Sequence, residues 1–430
     1  MIQEFRVSNF LSFKEEAVLN FEATKDEALE KELVVEVAPG VRLLRLAVVY
    51  GANASGKSNL LAAIDFLQNF WFQKRSDIDE STEAVPFLFD EDTPQEASKF
   101  ELKFYVNGVR YWYSLELDKH QVYSEKLYYY KSTQPTMLFT RLLENGQSVI
   151  KINTLAVKTI AGAVDEISLK CLRNMSFFAA RQKVNCSLPL IDEARNWMKS
   201  GMLPVIEPET RMFEYAGSQM LKDNALKDFI LKFVNKAGSN ITGVKMQEEK
   251  YPIPGFMRDA IIGAQELSKE VKDKLLEDDF VNKLNSSFEH TVKNQRGVER
   301  YYLSNDYQSD GTRRLFGIEA AIYELLNNGS FLTVDEIESS LHPDLLELIL
   351  EEFLENTGHS QLLFTTHYDP LLDAIDELLR KDSVWFTDKG EDGGTKLYSL
   401  TEFKRLNKIA SFQRSYRRGL FKAVPNIKRE

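Results

Sequence analysis

Two spacings of apolar residues alternate along this chain. Phe100-Glu101-Leu102-Lys103-Phe104-Tyr105-Val106 alternates, Asn107-Gly108 follows, and Arg110 to Leu117 alternates again. An Asn-Gly between two such runs is a strong hairpin signal. Residues 122–130 and 137–143 continue as strands. Residues 2–22 read strand, turn, strand through Phe5-Arg6-Val7, Asn9 to Phe13 and Val18 to Phe21. By contrast Leu46-Ala47-Val48-Val49-Tyr50 is unbroken and predicts a buried strand, and Asn59 to Ile64 opens a helix. From 165 to 295 the spacing turns helical. Leu221, Leu226, Phe229, Ile230, Phe233 and Val234 recur until Gly238; Leu267, Val271, Leu275 and then Leu284, Phe288 repeat the rhythm. These stripes predict helices packed on a core and are too short for a coiled-coil arm.

Residues 330–400 return to α/β rhythm. A strand at 331–335 leads through His342-Pro343 into a Leu- and Glu-rich helix. A strand at Gln361–Thr365, a helix from Pro370 to about Leu379 and strands near 383–387 and 396–400 follow. The pattern predicts an α/β fold with a mixed sheet, an antiparallel β subdomain and a helical insertion. Four segments result: 1–150 with the antiparallel sheet, a mainly helical 151–300, a second α/β half at 301–400, and a tail at 401–430. Neither an internal repeat nor a low-complexity segment is visible.

The junction between the buried strand and its helix carries chemistry. Residues 51–58 read G-A-N-A-S-G-K-S. Gly51 and Gly56 permit a tight turn whose amides point inward at phosphate oxygens. Lys57 adds a mobile charge for the β/γ-phosphates and the Ser58 hydroxyl can ligate Mg²⁺. Asn53 and Asn59 complete the candidate contacts to the nucleotide. Almost 280 residues later, Phe331-Leu332-Thr333-Val334 ends in Asp335-Glu336. After an apolar strand, Asp335 is placed to hold Mg²⁺ and Glu336 to polarise an attacking water. Ser309-Asp310-Gly311-Thr312 precedes a helix; it reads as a γ-phosphate contact through Ser309 and Gly311, or as a helix cap. His367, in Thr365-Thr366-His367, reads as a γ-phosphate contact or as a structural histidine.

Composition narrows the setting. At 430 residues, 43% hydrophobic and 28% charged, the chain is of ordinary soluble globular type. A net charge of −11 argues against a surface coated in nucleic acid, though not against a local basic groove. Cys171 and Cys186 lack metal-ligand spacing, which suggests structural thiols in a reduced, cytoplasmic setting. No signal-peptide pattern opens the sequence, no apolar run approaches the ~20 residues of a membrane span, and no membrane partner is expected. Residues 403–430 hold nine Lys or Arg and one acid. The two readings are a patch for nucleic acid or another anionic partner, and a solvated helix packing through Leu406, Ile409 and Phe412.

The order GxxxxGKS, SxGT, DE and TTH resembles the ABC-type P-loop ATPases, in the branch that includes SMC, RecF-like and OLD-like proteins. Within it, Tyr50 to Ser58, Ser309 to Thr312, Asp335 to Pro343, Thr365 to His367 and the tail Tyr416 to Pro425 are similar to stand-alone RloA/AbiL-type phage-defence ATPases. The resemblance implies ATP and Mg²⁺ as cofactors. Lys57 and Ser58 would be phosphate and Mg²⁺ ligands, Asp335 the Mg²⁺ carboxylate, Glu336 the base and His367 the switch histidine. Ser309 and Gly311 would reach across an ATP-sandwiched dimer or higher homo-oligomer. Gln182 is the candidate for the glutamine that completes Mg²⁺ coordination in relatives. The implied function is ATP hydrolysis in a sensor or regulator of prokaryotic anti-phage defence, working with a separate nuclease or toxin effector. The alternatives are a RecF-like DNA-maintenance ATPase and an ATP-bound scaffold with little turnover. The signature lacks the Leu and Gln neighbours of transporters, and no TOPRIM-like acidic cluster of an OLD nuclease follows the second α/β half.

Overall fold

A five-stranded sheet collects the apolar runs. In a computed structural model, which describes residues 1–252, 255, 258 and 280–424, its order is Phe331–Val334, Gln361–Thr365, Leu46–Gly51, Val384–Lys389 and Thr395–Ser399. The first four strands run parallel, and the fifth pairs antiparallel with the fourth. Every residue of the first three is buried, as strands covered on both faces require. The register sets Val334 beside Phe364, Thr365 beside Val49 and Gly51 beside Thr387. The carboxyl ends of the four parallel strands therefore finish along one edge, where open α/β sheets place their ligands.

A seven-stranded antiparallel sheet stands beside it, in the order Gln147–Ile152, Pro135–Glu144, Val122–Tyr130, Val109–Leu117, Ser98–Val106, Ile2–Ser8 and Ala17–Asn20. The hairpin predicted at Asn107-Gly108 is present, and both turn residues take positive φ, at 49° and 78°. Helix Lys57–Phe70 packs between the sheets: Phe66 stacks on Phe100 at 5.1 Å, and Trp71 stacks on Phe178 at 3.9 Å. Asn9 to Phe13 is a tight loop rather than a strand. Asn9 and Leu11 each have φ of 48°, and the Asn9 side chain bonds Thr93 O, Glu96 O and the Phe87 N–H, fastening the segment from Phe87 to Glu96.

The chain divides into two compact units. One holds residues 1–209, 324–339 and 343–430; the other holds 210–323 and 340–342. In the second, helices Met212–Met220 and Asn224–Lys236 accompany a three-stranded antiparallel sheet, Ile241–Pro252, Phe280–Asn294 and Gly297–Ser304. Asp223 caps the second helix, and Gly238 closes it at φ 78°. Leu284 and Phe288, expected on a helix, lie in a strand. A spacing of four is even, so it also places both side chains on one face of a strand. Phe288 is buried edge-on to Phe316, with ring centroids 5.1 Å apart. The stripe Leu267, Val271, Leu275 lies outside the described residues.

Two further expectations are corrected in the first unit. The helix expected from Pro370 to Leu379 is only a 3₁₀ segment, Asp369–Ala374. Asp376 adopts φ 75° and its N–H bonds Leu379 O, which turns the chain before an α-helix forms. The tail is not one helix packing through Leu406, Ile409 and Phe412, because Leu406–Lys408 is a 3₁₀ turn and the helix starts only at Phe412. Helix Phe412–Arg417 leads to Tyr416 and Phe421, which stack on Phe386 at 5.9 and 5.2 Å. No helix among the described residues is long and apolar enough to cross a membrane. Cys171 is buried, Cys186 is half-buried, and both are unpaired thiols.

Candidate active site

The loop after Leu46–Gly51 turns back into helix Lys57–Phe70 through Gly56 at φ 108°. A side chain is excluded at both loop glycines: a Cβ on Gly51 would strike Thr387 and Ser55, and one on Gly56 would strike Thr395. Hydroxyl groups pin the loop from outside. Ser55 Oγ shares a 2.6 Å bond with Thr387 Oγ1, and Thr395 Oγ1 donates to Ser55 O at 2.8 Å. Ser12 Oγ lies 2.7 Å from Asn59 Nδ2 and accepts from it, and Thr395 lies 2.8 Å from the same oxygen. The Asn59 side chain is thus tied to Ser12. Asn53 and Ser58 are exposed on the open side, and the first N–H groups of the helix have no intrahelical acceptor.

Lys57 is buried, and its ammonium has three acceptors for three protons: Gly51 O at 3.0 Å, Ala52 O at 3.3 Å and His367 Nε2 at 3.0 Å. Burial pulls Lys57 below its ordinary pKa, against the opposing pull of Glu336, Asp335 and Glu338. Burial and then the Lys57 charge hold His367 below its ordinary value too, so its imidazole is neutral at pH 7. An Nε2 that accepts from Lys57 leaves the ring proton on Nδ1.

One buried hydroxyl arranges the acid pair. Thr365 Oγ1 donates to Asp335 Oδ1 at 2.5 Å and accepts the Glu336 N–H at 2.8 Å. Glu336 sits at φ 43°, a left-handed conformation uncommon for a non-glycine residue. Its Oε1 lies 3.7 Å from His367 Nε2. Glu338 Oε1 accepts the His367 N–H at 2.5 Å, while its Oε2 is buried without a hydrogen bond. Lys57, Asp335, Glu336 and His367 thus meet at the carboxyl edge of the sheet. Thr365, Thr387, Thr395, Ser12 and Glu338 received no role from the sequence. The available signal was hydroxyl residues directly ending apolar runs, as in Leu362-Leu363-Phe364-Thr365 and Trp385-Phe386-Thr387.

The cation question rests on the donor set. No group of three His, Cys, Asp or Glu gathers as a metal site among the described residues. Ser58 and Asp335 supply one hydroxyl and one carboxylate, which suits Mg²⁺, an ion that keeps waters and shares phosphate oxygens. The unbonded Glu338 Oε2 adds negative potential at the same corner. Gln182 does not belong there. Its Nε2 donates to Phe72 O at 3.3 Å, beyond the far end of the 14-residue helix Lys57–Phe70. At ~1.5 Å per residue that is roughly 20 Å from Ser58; residue type alone carries no information on where the fold places a glutamine. Ser309 and Gly311 lie in the second unit. Ser309 Oγ is exposed and accepts the Thr312 N–H at 3.1 Å, capping helix Asp310–Asn328. A Cβ on Gly311 would stand 2.6 Å from Ser340 O, so the turn packs against Ser340 of the same unit.

No curated protein matches the chain. Two SMC heads are among the solved structures similar to it. The SMC head domain from Thermotoga maritima is 14% identical and covers 93% of this chain and 98% of its own, at a TM-score of 0.42. An SMC head bound to the C-winged helix domain of ScpA is 13% identical and covers 93% and 99%, at 0.44. The family model described as "AAA domain, putative AbiEii toxin, Type IV TA system" matches residues 46–155 and 244–374, more than half of the chain, and the chain belongs to that family of P-loop ATPases.

Proposed function

We propose that this protein binds ATP with Mg²⁺ and hydrolyses it, as the sensor or regulator of a prokaryotic anti-phage defence system acting with a separate effector. The observation that carries hydrolysis is the Thr365 bridge. From the end of Gln361–Thr365, the strand next to the one that bears the phosphate loop, it holds Asp335 and Glu336 at the end of Phe331–Val334 in fixed relation. Lys57 already faces three acceptors, and incoming phosphate oxygens replace them on its ammonium. Loop amides and the free N–H groups of helix Lys57–Phe70 hold the same phosphates. Ser58 and Asp335 would hold Mg²⁺, which would supply positive charge to the phosphates. Glu336 then takes the proton of a water directed at the γ-phosphorus, and neutral His367 offers its ring to the γ-phosphate.

The defence setting is supported by the family description, which names a toxin–antitoxin system, and by the resemblance of the tail and motifs to phage-defence ATPases. The same resemblance supports a dimer in which Ser309 and Gly311 of one copy face the ATP of the other. Two variants test the chemistry by calorimetry and phosphate release. Lys57→Ala is expected to abolish ATP binding. Glu336→Gln is expected to keep binding and lower turnover by about 100-fold or more. Unchanged turnover in Glu336→Gln would assign the water to another residue.

A further inference from the structure

The segment that carries His367 is held from the tail. Arg417 donates to both oxygens of Asp369, Nε to Oδ2 at 2.6 Å and Nη2 to Oδ1 at 2.8 Å, as a two-pronged fork. Gln413 Nε2 adds a bond to Asp369 Oδ1 at 3.0 Å. The Ser411 hydroxyl and the Gln413 N–H, each at 3.0 Å, occupy the two oxygens of Asp373. Two carboxylates of the 3₁₀ segment that follows His367 are thus tied to residues 411–417. Asp369 is only two positions beyond His367. Between them, the Tyr368 carbonyl accepts from Tyr50 Oη at 3.3 Å, and Tyr50 directly precedes the phosphate loop. The Tyr416 ring closes the circuit, 5.8 Å from Tyr50 and 5.9 Å from Phe386.

His367 therefore hangs between two anchors. On one side Glu338 accepts its N–H; on the other Asp369 is gripped by Arg417. An exposed ion pair contributes little to stability, and the Arg417 side chain is 62% exposed. A bidentate fork nevertheless fixes a geometry, and a small misplacement of a phosphate-facing group is costly to rate. We propose that Arg417 is a positioning residue, which through Asp369 sets the place of His367 at the γ-phosphate, so that residues 411–424 form a strap coupling the C-terminal segment to the ATP site. This rests on the hydrolysis reading above for its effect on rate, but not for its effect on the ring.

The test uses the full chain with and without ATP and Mg²⁺. The ring resonance of His367 is recorded by NMR and assigned by its loss in His367→Gln. In Arg417→Ala it is expected to move or broaden. The kcat for ATP is expected to fall about tenfold or more with KM changed less than about twofold, as for lost transition-state alignment. The melting temperature is expected to move by no more than about 3 °C. Arg417→Lys keeps the charge and loses the fork, and should recover less than half of the lost rate. The double exchange Arg417→Asp with Asp369→Arg should return the resonance toward wild type. An unmoved His367 resonance in Arg417→Ala overturns the proposal, whatever the ATPase does. A moved resonance in a protein whose wild type hydrolyses no ATP upholds the strap and defeats the hydrolysis reading instead.

Discussion

Single hydroxyl and carboxylate groups decide more in this chain than its runs of apolar residues suggest. Thr365 joins Asp335 to the Glu336 backbone through one oxygen, and Glu336 takes a left-handed conformation there. Away from the site, Asp382 and Arg380 form an ion pair whose side chains are 3% and 0% exposed. Asp382 Oδ2 also receives the Thr24 N–H and hydroxyl at 2.8 and 2.6 Å. Burial opposes ionisation of Asp382, yet the bonds from Arg380 and Thr24 outweigh it and hold the carboxyl below its ordinary value. The folded pKa is therefore below the unfolded one. The stabilisation is complete above the unfolded value near pH 4 and is lost as pH falls through the folded value. Asp382→Asn is expected to cost about 3 kcal/mol at pH 7, because it leaves the buried Arg380 charge with only the more distant carboxylate of Glu30, at 3.7 Å. Urea unfolding at pH 7 and near pH 3 checks this: the gap between variant and wild type should narrow in acid. A gap that is equal at both values would show that the bonds to Asp382, not its charge, carry the effect.

At the scale of elements, the second unit depends on one aromatic contact set. Phe288 is buried between Phe213, 5.7 Å away, and Phe316, 5.1 Å away. Phe288→Ala is expected to cost that unit about 3–5 kcal/mol. Hydrogen exchange should speed up at Val244 and Leu303, its cross-strand neighbours, and stay unchanged at Val48 in the first unit. Equal acceleration in both would show that the units unfold as one. The same region shows where sequence reasoning stopped. The phosphate loop was legible because eight consecutive residues contain its geometry, and the Asn107-Gly108 hairpin because its turn needs two residues of positive φ. Leu284 and Phe288 were ambiguous because an even spacing serves strand and helix alike. The pins of the loop were invisible for another reason: Ser12 and Thr395 meet across 383 positions. Gln182 was misplaced for want of that same long-range information. Asp335 and Glu336 were legible as a pair after an apolar strand, whereas the hydroxyl that holds them comes from a neighbouring strand.

For the whole molecule the decisive question is association. Each copy carries a formal charge of −11, so two copies repel, and the repulsion is screened by salt. Something must offset it, and the proposed ATP sandwich does so with a ligand gripped from two sides. In that proposal one copy supplies Lys57 and the other Ser309 and Gly311, so neither half of the site would be complete alone. Ser309 caps helix Asp310–Asn328, so its replacement has to preserve the cap. Aspartate caps as well as serine but sets a negative charge against the γ-phosphate, so Ser309→Asp removes the function and keeps the fold. Lys57→Ala alone and Ser309→Asp alone are both expected to lack ATPase activity. Mixed in equal amounts, half of the randomly paired dimers have one copy of each variant. Such a dimer keeps one intact site, with Lys57 from one copy and Ser309 from the other, which gives roughly a quarter of wild-type sites. In Glu336→Gln, where ATP stays bound, light scattering should show ATP-dependent growth in mass, stronger at moderate than at low salt. Recovery in the mixture together with growth in mass establishes the composite site. Full activity of Ser309→Asp by itself, or hydrolysis that persists per molecule at nanomolar dilution where only monomers remain, would mean that one copy completes the reaction alone.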